Sequence, residues 1–284
     1  MTAGLVALFA IGFGYLALVL AFAVRQDTLF FKPKRGLAAT PAAAGLAFTD
    51  LALVAADGVA LHAWWVPGPP EPAATLPGRP FTLLYLHGAN TNLGDRVDAL
   101  RFWHDLGFDV LALDYRGFGR SAGRPSEKGL YLDARAAWDW LAAARGVPAG
   151  RIVIAAESLG VSLATHLALA ARPAALVLEA GFTCAADVAA RRYPWLPVRQ
   201  VIRLDLANAD RLARIRCPKL IVHSVDDATV PVGHARRLVE RAAPPRLLLR
   251  IRGAHARGCV EGGPRYVDAL RRWLEGLTVS TRGA

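Results

Sequence analysis

The chain has 284 residues, 54% of them hydrophobic, with a net charge of +11 and only three cysteines. That length holds one domain with a sizeable core that needs no disulfides; Cys184, Cys217 and Cys259 show no pairing or metal-ligand rhythm and read as reduced, buried small residues. The positive excess is mostly arginine spread along the sequence with no basic run interleaved with aromatics, which argues against a nucleic-acid partner and for some attraction to anionic lipid headgroups.

Residues 3–23 carry no charged side chain. As a helix rising 1.5 Å per residue, such a run is roughly 30 Å long and spans a bilayer core. A cleaved signal peptide is the rival reading, because Ala21-Phe22-Ala23 resembles a small-residue cleavage site. The absence of Lys or Arg before the run, and its length, favour an uncleaved single-pass anchor. Arg25, Lys32, Lys34 and Arg35 all follow it, so the positive-inside rule places the rest of the chain in the cytoplasm. The division is therefore an anchor at residues 1–25, a juxtamembrane linker at 26–47 and a folded domain at 48–284. Within the linker, Phe30 and Phe31 suit a segment lying at the membrane interface.

Residues 48–66 alternate as two antiparallel strands around Ala56-Asp57-Gly58, a hairpin signal, and 67–80 is a Pro- and Gly-rich surface loop. Apolar runs then alternate with amphipathic segments: strands at 81–87, 109–113, 151–156 and 175–180, helices at 94–106, 130–145 and 158–171. This is the pattern of an α/β protein with a mostly parallel sheet flanked by helices. The alternation lapses over 182–217 and resumes with a strand at 218–224.

Ile152-Val153-Ile154-Ala155-Ala156-Glu157-Ser158-Leu159-Gly160 reads as an apolar strand, then small-x-Ser-x-Gly, then a helix. A serine hydroxyl becomes a nucleophile only when a base removes its proton, and a sharp strand-to-helix turn exposes it to base and substrate together. An acid and then a histidine should follow, each after a later strand. Asp226-Asp227-Ala228-Thr229-Val230-Pro231 follows one such strand, and Gly253-Ala254-His255 follows another. His62, His87 and His223 lie on or at the ends of strands and suit structural hydrogen bonds.

With Leu84-Tyr85-Leu86-His87-Gly88 and Asp114-Tyr115-Arg116-Gly117-Phe118-Gly119 added, these motifs make residues 48–277 resemble the α/β-hydrolase superfamily. The likeness is to its membrane-anchored, short-capped abhydrolase-domain branch, which includes esterases, lipid hydrolases and protein depalmitoylases. Two departures stand out: Ala156 replaces a glycine, and Val161 stands where a second glycine often follows. The resemblance implies Ser158 as nucleophile, His255 as base and Asp227, by its spacing to Val230 and Pro231, as the acid rather than Asp226. It also implies an oxyanion hole from the backbone N–H groups of Ala89 and Leu159, and a short cap at 182–217 in which Tyr193, Trp195 and Leu196 offer apolar surface to an acyl group.

The expected function is hydrolysis of a carboxylic ester or thioester, in a small-molecule or lipid substrate at the membrane. A peptidase or amidase of the same fold and a non-catalytic membrane-bound binding protein are the alternatives. No cofactor or metal is called for, since neither a metal cluster nor a nucleotide fingerprint is present. A chain beginning near Gly36 is expected to be soluble and active on a water-soluble ester.

Overall fold

The computed structural model describes residues 3–70 and 81–282, so the loop expected at 67–80 lies outside it from residue 71 onward. β1 (Thr49–Val54) and β2 (Ala60–Val66) form the expected hairpin, closed by the Gly58 N–H on the Ala55 carbonyl at 2.8 Å. Gly58 adopts φ +82°, which glycine reaches without steric cost. Six further strands follow: β3 (Thr82–Leu86), β4 (Asp109–Leu113), β5 (Ile152–Glu157), β6 (Ala175–Glu179), β7 (Lys219–Ser224) and β8 (Arg246–Ile251). The order is β1-β2-β4-β3-β5-β6-β7-β8, antiparallel where β2 pairs with β1 and β4 and parallel elsewhere.

β3 and β5 are continuous apolar runs because helices cover both faces of the sheet. Leu84, Leu86, Ile154 and Ala156 enter one core, together with α3 (Glu127–Asp139) and α4 (Leu159–Ala171). Leu83, Tyr85, Val153 and Ala155 enter the other, with α2 (Val97–Asp105) and the terminal α10 (Gly263–Arg282). α3 begins at Glu127, where the Ser126 hydroxyl accepts the Gly129 N–H, and a π-helical turn at Trp140–Ala144 extends it. The lapse at 182–217 is filled by three short helices, α5 (Ala185–Arg192), α6 (Val198–Val201) and α7 (Asn208–Leu212). α8 (Gly233–Arg241) follows β7, and α9 (Gly258–Glu261) precedes α10.

The N-terminal helix α1 runs from Ala3 to Phe31, long and apolar enough to cross a membrane, and continues past residue 25 where the anchor was expected to end. Its residues 3–18 are exposed, whereas its last turns are docked. Buried Gln26 accepts the N–H groups of Arg203 and Leu204 at 2.6 and 3.2 Å. Phe22 packs edge-on to Tyr193 and joins Leu196 and Val198 in a small apolar cluster. Phe31, expected at a membrane interface, is instead fully buried in the core containing Tyr115 and Phe118. Its removal from water favours that position by about 2–3 kcal/mol. The segment after it is also fixed: the backbone of Lys34 and Gly36 bonds to Gly119, Arg35 donates to the Ser121 and Gly123 carbonyls, and Lys34 pairs with Asp95.

Candidate active site

Parallel strands bring the segments after β3, β5, β7 and β8 to one edge of the sheet, and the expected triad and oxyanion-hole residues follow those strands. Ser158, between β5 and α4, has φ +50° and ψ −108°, a conformation that costs a non-glycine residue energy and must be imposed by its surroundings. Its N–H is held by the Glu179 carbonyl of β6 at 2.9 Å. A Cβ on Gly160 would stand 2.2 Å from the Leu86 carbonyl oxygen, so glycine alone lets α4 pass β3 so closely. The two departures are absorbed by packing. Ala156 lies buried in the core, and Val161 occupies space left by Gly181, where a Cβ would come 3.0 Å from Val161 Cγ1.

His255 Nε2 lies 2.9 Å from Ser158 Oγ, and its Nδ1 lies 2.7 Å from Asp227 Oδ2. The second Asp227 oxygen accepts the N–H groups of Thr229 and Val230 at 2.9 and 2.8 Å. Burial works to raise the Asp227 carboxyl, but hydrogen bonds with His223, His255 and the Val230 N–H outweigh it and hold the group well below the usual carboxylate range. It is therefore ionised at neutral pH. Asp226 points elsewhere, half-exposed and 3.3 Å from Arg252 and from the Gly253 N–H. A hydroxyl, an imidazole and a buried carboxylate in this sequence can pass the serine proton to the imidazole and stabilise the cation that results.

The other strand-end histidines are held by structural bonds: His62 between Asp50 and Asp114, His87 to the Gly88 carbonyl, His223 to the Val230 carbonyl. Ala89 and Leu159 flank Ser158 in the same cavity, and among the described residues neither backbone N–H donates to a protein acceptor. The cavity is about 580 Å³, within the range of small-ligand sites. Tyr193 lines it, but Trp195 and Leu196 do not. Leu196 is buried against Phe22, and Trp195 is 56% exposed with its carbonyl accepting the Tyr15 hydroxyl, because the cap turns these residues toward α1 rather than toward Ser158.

Part of the wall comes from residues with no catalytic signal in the sequence. Leu29 and Phe30 come from α1, Phe182 and Val188 from the cap region, and Lys32, Arg191 and Arg192 add positive charge. His234 also lines it; burial and the Arg237 charge push its ionisation down to about 4, and it is neutral at pH 7. Also missed was a buried cluster on the α2 side of the sheet. Glu157 and Glu179 are directly paired across β5 and β6, and two such carboxyl groups side by side in a core are tolerated only where a cation pairs with one or a proton neutralises the other. Arg96 Nε stands 2.8 Å from Glu157, the Tyr85 hydroxyl donates to Glu157 at 2.6 Å, and Glu179 accepts the Gly258 N–H at 2.6 Å. That last bond ties the strand beside Ser158 to the segment just after His255. Cys259 lies in this cluster, its thiol pushed up by burial, which favours packing over reactivity.

Residues 81–205 match the family model described as serine aminopeptidase, S33. The chain is 31% identical over 248 residues to the α/β-hydrolase domain-containing protein WAV2 of Arabidopsis thaliana, covering 80% of this chain and 78% of that protein. The chain thus belongs to the α/β-hydrolase superfamily. It is 38% identical to the lysophosphatidylserine lipase ABHD12 of Rattus norvegicus over 184 residues, 58% of this chain and 46% of that protein. Among solved structures, the Pyrococcus furiosus esterase Pf2001 superposes with a TM-score of 0.71 over 87% of this chain and 97% of the esterase, at 20% identity.

Proposed function

We propose that this hydrolase is a membrane-anchored serine enzyme that cleaves carboxylic ester or thioester bonds in lipid or acylated substrates. The observation that carries this reading is the hydrogen-bonded sequence Ser158, His255, Asp227, of which Ser158 and His255 open into a cavity whose wall includes Leu29, Phe30, Phe182 and Val188. Ser158 Oγ attacks the carbonyl carbon as His255 takes its proton; His255 then returns the proton to the leaving group, and Asp227 holds the imidazole and stabilises its charged form. The Ala89 and Leu159 N–H groups receive the oxyanion, an interaction worth about 3 kcal/mol of barrier per donor. Water repeats the sequence on the acyl-enzyme. α1 supplies the anchor. Charge asymmetry supports a cytoplasmic domain, carried by Arg25 and Lys32, since Lys34 and Arg35 bind the domain itself. A reporter fused after Ala284 tests the side: alkaline phosphatase activity there would reverse it.

The aminopeptidase description of the matching family gives amide hydrolysis as the second reading. A panel of paired esters and anilides sharing one acyl group separates the two. Ester turnover well above anilide turnover, abolished by Ser158→Ala with an unchanged thermal midpoint, is expected; anilide turnover in excess would select the peptidase.

A further inference from the structure

Among the described residues, His234 is the one buried polar side chain in the wall of the cavity above Ser158. The other polar side chains there, outside the triad, are Lys32, Asn90, Arg191, Arg192 and Thr229, all exposed, and half-buried Tyr193. His234 follows directly on the loop that carries Asp227, and its backbone N–H donates to the Pro231 carbonyl at 2.9 Å.

The imidazole is held through Nδ1. The Thr183 backbone N–H points at that nitrogen from 3.3 Å and the Arg237 guanidinium stands 3.1 Å from it, and both groups can only donate. The Thr183 hydroxyl, 3.0 Å away, has Asp187 to receive its hydrogen. Nδ1 is therefore the acceptor, and a neutral ring whose Nδ1 accepts carries its proton on Nε2. The other buried histidines are arranged the opposite way, each with a ring nitrogen on an acceptor: His62 on Asp50 and Asp114, His87 on the Gly88 carbonyl, His223 on the Val230 carbonyl. Nε2 of His234 has no protein partner among the described residues, and it is not one of the polar atoms that the fold encloses. Thr183, Asp187 and Arg237 line a neighbouring groove and not this cavity, which leaves the Nε2 end of the ring as the part presented to the space above Ser158.

Resting on the ester-hydrolase reading, we propose that the His234 Nε2–H binds an acceptor oxygen of the substrate. The enzyme then selects esters that carry a second oxygen function, in the alcohol or in the acyl part, over esters that are plain hydrocarbon at that point. Without substrate, water takes this donor; a substrate oxygen replaces the bond, whereas a methylene displaces the water and replaces nothing.

The test uses the full chain in phosphatidylcholine vesicles. An alcohol arm compares glycerol and ethylene glycol monooctanoates with propyl octanoate, and an acyl arm compares propyl esters of keto-octanoic acids with the same propyl octanoate. Each kcat/KM is divided by that ester's rate of alkaline hydrolysis, so that intrinsic reactivity cancels. Wild type should favour the oxygenated esters of at least one arm by about tenfold, the scale of one uncharged hydrogen bond, and the favoured arm locates the oxygen. His234→Asn, whose side-chain oxygen takes the place of Nδ1 toward Thr183 but whose amide stops short of Nε2, should bring the ratio near one. His234→Gln, which sets an N–H donor at the Nε2 place, should keep most of it. His234→Phe should behave as the Asn variant does, and it replaces that variant if Asn prevents labelling at Ser158 by a fluorophosphonate. Ratios near one in both arms of wild type, or a preference unchanged in a labelled Asn or Phe variant, would overturn the inference and leave the hydrolase reading standing. A preference lost equally in the Gln and Asn variants would make His234 a packing residue and overturn its role as donor. No turnover of any ester by wild type would remove the ester-hydrolase reading, and this inference with it.

Discussion

The floor of the cavity and its mouth are built on different principles. At the floor, Ser158 is fixed by a strained turn, a β6 carbonyl and the close passage of Gly160 under β3, while His255 and Asp227 sit on loops at the same sheet edge. At the mouth, α1 meets the cap through Phe22, which packs with Tyr193, Leu196 and Val198, and through Gln26, which accepts from Arg203 and Leu204, while Phe31 enters the main core. The floor has one geometry that the sheet enforces. The mouth depends on a helix that arrives from outside the sheet, so it can be dismantled while the floor survives.

The largest expected effect is at the floor. Asp227→Asn should lower kcat by about 10⁴, because the amide favours the wrong imidazole tautomer and leaves no charge to balance the imidazolium. Asp226→Asn, changing a half-exposed group that points to Arg252, should alter kcat less than about threefold, the scale of a surface pair. Steady-state kinetics on a short ester checks both; the reverse ranking would move the acid.

At the mouth, Phe31→Ala should destabilise the protein by about 3–5 kcal/mol in denaturant titration, as expected for truncating a fully buried phenylalanine. A chain beginning at Gly36 loses Phe31 from the core and Leu29 and Phe30 from the cavity. It should therefore show a lower thermal midpoint and a raised KM even for a water-soluble ester, contrary to what an independent anchor followed by a loose linker implies. Unchanged stability and KM would show that α1 is only a tether.

The smallest effect is a slope. Burial, reinforced by the Glu157 charge, pushes the Glu179 carboxyl up to about 8. A carboxyl raised by folding contributes stability that is present below its unfolded value, near 4.5, and is lost as pH rises through about 8. The thermal midpoint of wild type should fall across that window, and Glu179→Gln, permanently neutral, should flatten the fall. An equal slope in the two proteins would place the titration elsewhere.

How much of this was legible in the sequence divides along the same line. β4 at residues 109–113 and the small-x-Ser-x-Gly turn could be read because strand period and turn chemistry are local properties of consecutive residues. The hydrolase fold followed from several such motifs in order. The start of α3 at Glu127 came earlier than its apolar period, since the Ser126 cap carries no hydrophobic signal. The cavity wall was less legible. Trp195 and Leu196 were assigned to an acyl surface by composition, yet side-chain direction in a short irregular cap is set by what it packs on, here α1. Phe30 and Phe31 looked like interfacial aromatics next to basic residues, and nothing local distinguishes that from one ring in the core and one in the cavity. The Arg96–Glu157–Glu179 cluster had one readable trace, acidic residues ending two adjacent buried strands, but the arginine that pairs with Glu157 lies far away in sequence.

The central claim is that Ser158 is the nucleophile activated through His255. Its most direct measurement is fluorophosphonate labelling of the full chain followed by peptide mass mapping, in wild type, Ser158→Ala and His255→Ala. One adduct is expected, on the peptide containing Ser158, absent in Ser158→Ala and slowed by orders of magnitude in His255→Ala. An adduct on another residue, or ester turnover that persists in Ser158→Ala, would contradict it.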